Sequence, residues 1–299
     1  MQLQGTVYLH RKRSPRYARV ASPPPIRLTE RDRAVIQAVA TYRILRRDQI
    51  QSLFFPSVRT TNAALSRLYH HAFLERLPPL LTWGSGDSPT LYTLGAKGRD
   101  LLGNTAGRVS RRSADALRSA SRYFLEHTLA VNDVRVALSV AAARAGYPLE
   151  QWITEAEFRV APDKVSYPAA DGTAHARPVL PDAACVIRGP NYTSRLLLEI
   201  DMGTEDNQRF VREKVRPGIA YLRSELYKRR FGFQSGRWLI ITTSQQRMLN
   251  MKRQTESAVG RAATVFYFTT FAQVTPTTIL TEPIWLRGGD RSLRPLLRS

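Results

Sequence analysis

Three acidic residues stand inside apolar sequence. Asp182 follows Pro181 in RPVLPDAACVI, and Glu199 and Asp201 close the run RLLLEIDMG. Runs this rich in Val, Ile and Leu read as strands, here over 178–187 and 195–202. Residues two apart on a strand project from one face, so Glu199 and Asp201 share a side, and a neighbouring strand carrying Asp182 brings three carboxylates together. Two like charges about 4 Å apart repel by about 4 kcal/mol at an effective dielectric of about 20. Protonation, a divalent cation or basic side chains must relieve that cost. Mg²⁺ suits an all-oxygen set with open water positions, which makes Asp182, Glu199 and Asp201 its candidate ligands. The competing use is ion pairing, for the chain holds 39 Arg against six Lys.

Other chemistries fall away. A lone cysteine, Cys185, precludes an internal disulfide and a multi-thiolate zinc site, and the five histidines lack a ligand spacing such as HExxH. No GxxxxGK[ST] loop cradles a nucleotide. His127, Asn132 and Asp133 fall on a helix expected over 123–145, where a structural histidine is the plainer use. Glu155 and Glu157 alternate on a strand expected over 151–160.

Charge narrows the partner. Lys and Arg number 45 against 24 Asp and Glu, a formal net charge of +21 that draws a polyanion from long range. Arginine's planar fork grips phosphate in a bidentate way, so double-stranded DNA leads and a membrane surface trails. The first residues lack the apolar centre of a signal peptide and no run of eighteen apolar residues occurs, so a cytoplasmic protein without a membrane span is expected.

The elements needed to position these groups follow from pattern. Residues 1–28 carry six Lys/Arg, no acid and the run Pro23 to Pro25, a flexible basic arm whose Arg11, Lys12 and Arg13 suit phosphate. From Thr29, helical spacing predicts three helices, over 29–40, 45–55 and 57–71, with Pro56 as a stop. The third, SVRTTNAALSRLYHH, turns Val58, Ala64, Leu65 and Leu68 inward and offers Arg59, Thr60, Thr61, Asn62, Ser66 and Arg67 to bases and phosphates, as a recognition helix does. Two strands within 73–94, joined by the tip GSGDS, and a helix over 95–102 complete a winged helix over 29–103; the run YTLGAKGRDLL resembles the wing and last helix of bacterial winged-helix regulators.

Residues 104–122 read as a basic linker. A second domain over 123–275 then shows a helix, strands in a run, and β-α alternation, which predicts an α/β (α+β) fold with a mixed central sheet. Its helix over 207–229 should kink or split at Pro217 and Gly218. Tyr267, Phe268 and Phe271 read as core strand, and residues 276–299 as a basic tail.

"PD" on one strand and "EID" at the end of the next, within an αβββαβ order, resembles the restriction-endonuclease-like PD-(D/E)XK fold. That resemblance implies that the Asp and Glu hold a metal while a Lys two residues after the Glu polarises the attacking water. Asp201 stands at that Lys position here, which leaves Lys214, in RFVREKVRPGIAY, as the nearby candidate for a migrated Lys. In such a domain Arg209, Arg212 and Arg216 would hold the phosphate backbone beside the acids.

With both halves combined, the chain resembles the replication-relaxation family of plasmids and other mobile elements over about Arg31 to Phe268. RDRAVIQAVATYRILRRDQI, LYTLGAKGRDLL, HTLAVNDVRVAL, LPDAACVI, LEIDMGTE and the Lys214 to Tyr221 segment carry that resemblance. It implies DNA binding in replication, mobilisation or transfer, with a relaxase or replication protein as a partner. Three functions stay open: a DNA-binding accessory factor, a Mg²⁺-dependent endonuclease or nickase with a variant site, and a winged-helix transcription regulator.

Overall fold

The computed structural model describes residues 17–77, 89–103, 117, 120–147, 149–168, 172–189, 192–204 and 206–297. The chain divides into two units, Met1–Arg122 and Tyr123–Ser299.

Thr29 starts the helical part of the first unit. Its Oγ1 accepts the Asp32 N–H at 3.1 Å while Asp32 Oδ2 accepts the Thr29 N–H at 3.0 Å, a reciprocal cap that satisfies donors orphaned at a helix start. Helix α1 (Glu30–Tyr42) continues past the expected Ala40 and buries Val35, Ile36 and Val39. The second helix begins later than its pattern suggests. Leu45–Arg46 forms a short strand, β1, paired with Tyr92 and Leu91, and α2 spans Arg47–Phe54. Ladder bonds to a distant segment decide those two residues, and such bonds leave no trace in local periodicity.

Helix α3 (Val58–His70) is capped by Ser57, whose Oγ accepts the Thr60 N–H at 3.3 Å. Thr61, Ala64, Leu65 and Leu68 fill its inner face, and Val58, expected there, is 44% exposed because fully buried Thr61 takes the first inward position. Strands β2 (Leu74–Leu77) and β3 (Leu91–Leu94) pair antiparallel, and the sheet runs β1-β3-β2. Helix α4 (Ala96–Leu102) follows Gly95, where a Cβ would lie 2.3 Å from the Ala72 carbonyl oxygen. That close approach explains the glycine in the YTLGAKG run.

Arg11, Lys12, Arg13, the GSGDS tip and most of the linker lie outside the described residues. The later part of the expected flexible arm is docked, not free. Arg19 donates to the Tyr69 and Leu74 carbonyls at 2.9 and 3.1 Å and to Glu75 at 2.8 Å, since an arginine beside three acceptors gains more from them than from solvent.

The second unit is a mixed α/β body. Its seven-stranded sheet runs β12-β11-β10-β9-β8-β7-β4, with β4 (Leu149–Thr154), β7 (Ala183–Arg188), β8 (Thr193–Ile200), β9 (Arg237–Thr242), β10 (Phe266–Thr270), β11 (Trp285–Arg287) and β12 (Leu293–Arg294). The pairs β8/β9 and β9/β10 are parallel and the others antiparallel. Helix α5 (Arg122–Arg144) lays Val134, Ala137, Leu138 and Ala141 on one face, against Cys185, Ile187, Leu196 and Leu198. The other face packs Trp238, Ile240, Phe266 and Phe268 against Tyr221, Tyr227, Met248 and Met251.

Three local readings change, and the expected split of one helix is located. The strand expected through Val160 stops at Thr154, which caps a short helix α6 (Glu155–Val160) by exchanging hydrogen bonds with Glu157, so Glu155 and Glu157 are helical. The strand expected over 178–187 is two strands. β6 (Ala174–Val179) pairs with β5 (Asp163–Pro168) in a separate hairpin, Leu180 and Pro181 cross over, and β7 begins at Ala183. The helix after the acids is split into α7 (Asn207–Phe210), a π-turn (Val211–Val215), α8 (Arg216–Leu222) and, beyond a Ser224 cap, α9 (Glu225–Phe231). Residues 276–297 are no tail. Ile279, Leu280, Trp285, Leu296 and Leu297 are buried, and Trp285 Nε1 donates to the Ile279 carbonyl at 2.8 Å. Burying a side chain of that size stabilises by about 2 kcal/mol or more, enough for a short apolar stretch to outweigh its arginines.

Candidate functional site

The acids gather where β7 begins and β8 ends. Asp182 is fixed across the two strands, its N–H on the Leu198 carbonyl at 3.0 Å and its Oδ2 accepting the Ile200 N–H at 2.6 Å. Glu199 precedes the last residue of β8, and Asp201, just past it, donates its N–H to the Ile241 carbonyl at 2.8 Å. All three line one cavity of about 450 Å³ together with His127, Lys214, Arg177 and Arg209. Proximity in one cavity does not give the three one task.

Lys214 belongs to Glu199. Its Nζ stands 2.8 Å from Glu199 Oε1 and 3.2 Å from the Leu180 carbonyl oxygen, which ties the helix to the crossover before Asp182. The π-turn holding it has a local cause. Pro217 has no N–H to give the Glu213 carbonyl, and the Arg216 N–H reaches back five residues to the Val211 carbonyl instead. The extra residue in that turn changes the direction in which side chains leave the helix.

His127, on α5, faces Asp182 Oδ1 at 3.4 Å and stacks on Tyr123 with ring centroids 6.3 Å apart. Burial opposes the charge on His127, but the hydrogen bond and negative charge of Asp182, with Glu199 and Glu155 farther off, raise its pKa. Burial likewise opposes ionisation of Asp182. The hydrogen bond and charge of His127, the charge of Lys214 and the Ile200 N–H overcome it and hold that carboxyl below the usual range. Asn132 is buried, and neither it nor Asp133 lines the cavity. Burial pushes the Cys185 thiol up to about 12, so it stays protonated and is no nucleophile.

Asp201 departs from the expected metal role. Arg247, in α10 (Gln245–Val259), places Nη2 at 2.6 Å from Oδ1 and Nε on Oδ2, which also accepts the Thr242 hydroxyl, and the Gly203 N–H adds a bond to Oδ1 at 3.3 Å. With two donors on each oxygen, the Asp201 carboxylate has its lone-pair sites filled and offers none to a cation. Among the described residues no group of three His, Cys, Asp or Glu side chains is disposed to hold a metal ion. The three-carboxylate Mg²⁺ set does not form, and the acids at the floor are Asp182 and Glu199. Mg²⁺ is commonly held by one or two carboxylates and substrate phosphate, which that pair fits.

Arginines edge the cavity. Arg209 and Arg212 reach Glu213 at 3.0 and 3.4 Å, and Arg177 joins it from β6 at 3.6 Å. Burial opposes the Glu213 charge, and these guanidiniums prevail and lower its pKa. Arg209 lines the cavity, whereas Arg212 and Arg216 do not. Glu155 lies on the rim, paired with Arg159 at 2.5 Å.

On α3, Arg59, Thr60 and Asn62 are exposed and Ser66 is half-buried. Of two further residues expected to make contacts, one is buried and the other, 45% exposed, holds a buried acid. Thr61 is buried and donates to the Ser57 carbonyl at 2.7 Å, and Arg67 Nη2 meets both oxygens of buried Asp32 at 2.6 and 2.7 Å. Asp32 without that partner would be an uncompensated buried charge, which explains where Arg67 goes.

Residues 36–235 match the model of the replication-relaxation family. The chain belongs to the replication-relaxation family. Asp182, Glu199, Asp201 and Lys214 all lie within this replication-relaxation span, and Arg247 lies beyond it. No curated protein matches the sequence. Among solved structures, restriction endonuclease FokI bound to DNA aligns at a TM-score of 0.25 and 11% identity, covering 84% of this chain and 45% of that one. The chain thus spans less than half of that protein's length.

Arg247, Arg177 and Arg159 are the residues that sequence reasoning missed. A signal existed for Arg247, which lies in the first turn of a helix directly after the strand that follows the acid strand. Parallel pairing of β8 with β9 brings that turn to the end of β8.

Proposed function

We propose that this replication-relaxation protein binds double-stranded DNA, serves the replication, mobilisation or transfer of a mobile element, and combines a winged-helix reader with a nuclease-like domain. The observation that carries the reading is α3. Its inner face is filled by Thr61, Ala64, Leu65 and Leu68, while Arg59 and Asn62 stand in solvent with side chains that pair with base edges and phosphates. Three helices and a β1-β3-β2 sheet support the winged-helix assignment, and the net charge of +21 supports a polyanionic partner. A gel-shift titration across salt tests this. Binding should weaken steeply, with a log-log slope of about −0.9 per contacted phosphate, and a slope near zero defeats the proposal.

A second reading, a Mg²⁺-dependent endonuclease, is favoured by one contact, Lys214 Nζ on Glu199 Oε1 beside Asp182. Here Lys214 serves as the migrated lysine, placing a cation at the acid pair. Arg177 and Arg209 at the cavity edge hold the phosphate against that pair. Mg²⁺ bound by Asp182 and Glu199 would polarise the phosphoryl oxygen. Asp201 takes no part, being held by Arg247. Plasmid nicking with and without Mg²⁺, run beside the gel shift, decides. Cleavage lost in Asp182→Ala with binding kept supports an endonuclease, and no cleavage by the wild type in Mg²⁺ or Mn²⁺ leaves the binding function alone.

A further inference from the structure

The acid pocket uses one end of β8, and the other end carries a second feature. About 20 Å back along the strand from Ile200, at roughly 3.3 Å per residue, Thr193 and Ser194 line a cleft of about 760 Å³ together with Arg237 at the start of β9, Tyr267 and Arg287. Among the described residues no Asp or Glu lines it. Arg237 Nη1 donates to the Leu296 carbonyl at 2.7 Å and its guanidinium lies 5.5 Å over the Tyr267 ring, while Arg287 Nε donates to the Thr264 carbonyl at 2.8 Å. Backbone carbonyls therefore orient both cations without cancelling their charge, and neither has a carboxylate partner among the described residues. Arg294, which also lines the cleft, is paired with Asp290.

Through Tyr192 and Thr193 the cleft continues round the starts of β8 and β9 into a groove of about 580 Å³ on the other sheet face, lined by Arg195, Phe233 and Arg188, the last paired with Glu150. Phe233 is 61% exposed, with the Arg195 guanidinium 5.2 Å over its ring and Arg195 Nε fixed on the Phe231 carbonyl at 2.9 Å. An exposed phenyl ring backed by the Arg195 guanidinium forms a platform for a planar base, and the oriented guanidiniums of Arg237 and Arg287, reached round the strand ends on the other sheet face, suit the phosphates that join such bases. Paired bases within a duplex do not offer their faces to such a platform.

We propose that this groove binds a single DNA strand, with a base stacked on Phe233 and phosphates on Arg195, Arg237 and Arg287. It shares no residue with α3 or with the acid pocket; that the strand is DNA rests on the proposed function, and the duplex arm of the test keeps the failure of the two readings apart. The test is fluorescence anisotropy of the full chain with a labelled oligothymidylate and, separately, a blunt duplex. Phe233→Ala should weaken oligothymidylate binding about tenfold and leave the duplex unchanged, and Phe233→Tyr should keep wild-type affinity. Arg287→Gln should lower the log-log salt slope for the oligothymidylate by about 0.7. Absence of oligothymidylate binding by the wild type, unchanged binding in Phe233→Ala, or an equal loss on the duplex overturns the proposal. Should Arg287→Gln fail to fold, the surface variant Phe233→Ala decides alone.

Discussion

Arg247 grips both carboxylate oxygens of Asp201, and with them it ties the end of β8 to the first turn of α10. An acid placed two residues from Glu199 to share a metal is thereby an anchor for the strand end that presents Glu199. The cation it meets belongs to the chain itself, delivered by the parallel β8/β9 crossover.

Removing that cation should be costly. Arg247→Met leaves the Asp201 charge buried with only a hydroxyl and an amide, and a buried pair broken on one side loses about 3–5 kcal/mol. Urea unfolding of the full chain should show a loss of that order, and Asp201→Asn in the same background should restore part of it. Equal stability of wild type and Arg247→Met would contradict the anchor role.

Lys214 and Glu199 make the parallel case inside the cavity. Glu199 is buried and Lys214 mostly so. Lys214→Met should destabilise the second unit by about 3 kcal/mol, and Glu199→Gln combined with it should recover a share, giving a measurable coupling in a double-mutant cycle. Duplex affinity should hardly move, because α3 lies in the other unit.

The helix α3 residues divide into readers and supports. Arg59→Ala and Asn62→Ala should each weaken duplex binding about tenfold, from about 1–3 kcal/mol per lost base contact, with no change in melting temperature. Arg67→Ala should instead lower the melting temperature, since it strips the partner from buried Asp32. Differential scanning fluorimetry beside anisotropy separates the two classes.

Acid should loosen the first unit through the same aspartate. Burial opposes the Asp32 charge, yet the Thr29 N–H and hydroxyl and the Arg67 guanidinium prevail and hold its pKa below the usual 3.8. A carboxyl held lower in the folded chain stabilises the fold at pH above its unfolded pKa, and that contribution is lost as pH falls through the folded value. Thermal melts should show Asp32→Asn less stable than wild type at neutral pH, with the gap closing below pH about 4. A gap constant with pH would mean that the Asp32 charge does not matter.

Much of this protein was legible one residue at a time. Thr29 as a helix start, Pro56 as a stop, the interruption near Pro217 and the apolar strands around Glu199 rest on local stereochemistry, which a short window of sequence contains in full. The clustering of acids followed from period-two alternation. What each acid does was not legible, because the partner of a charge is set by which distant segment packs beside it. Asp201 met Arg247 across a crossover, Arg67 turned to Asp32 across two helices, and Lys214 reached Glu199 from a π-turn. The C-terminal residues likewise read as a charged tail until β10 offered them an edge to pair with. Sequence determines which groups carry charge and which elements form locally; the tertiary structure alone decides which charges are cancelled, because that depends on contacts between residues far apart in the chain.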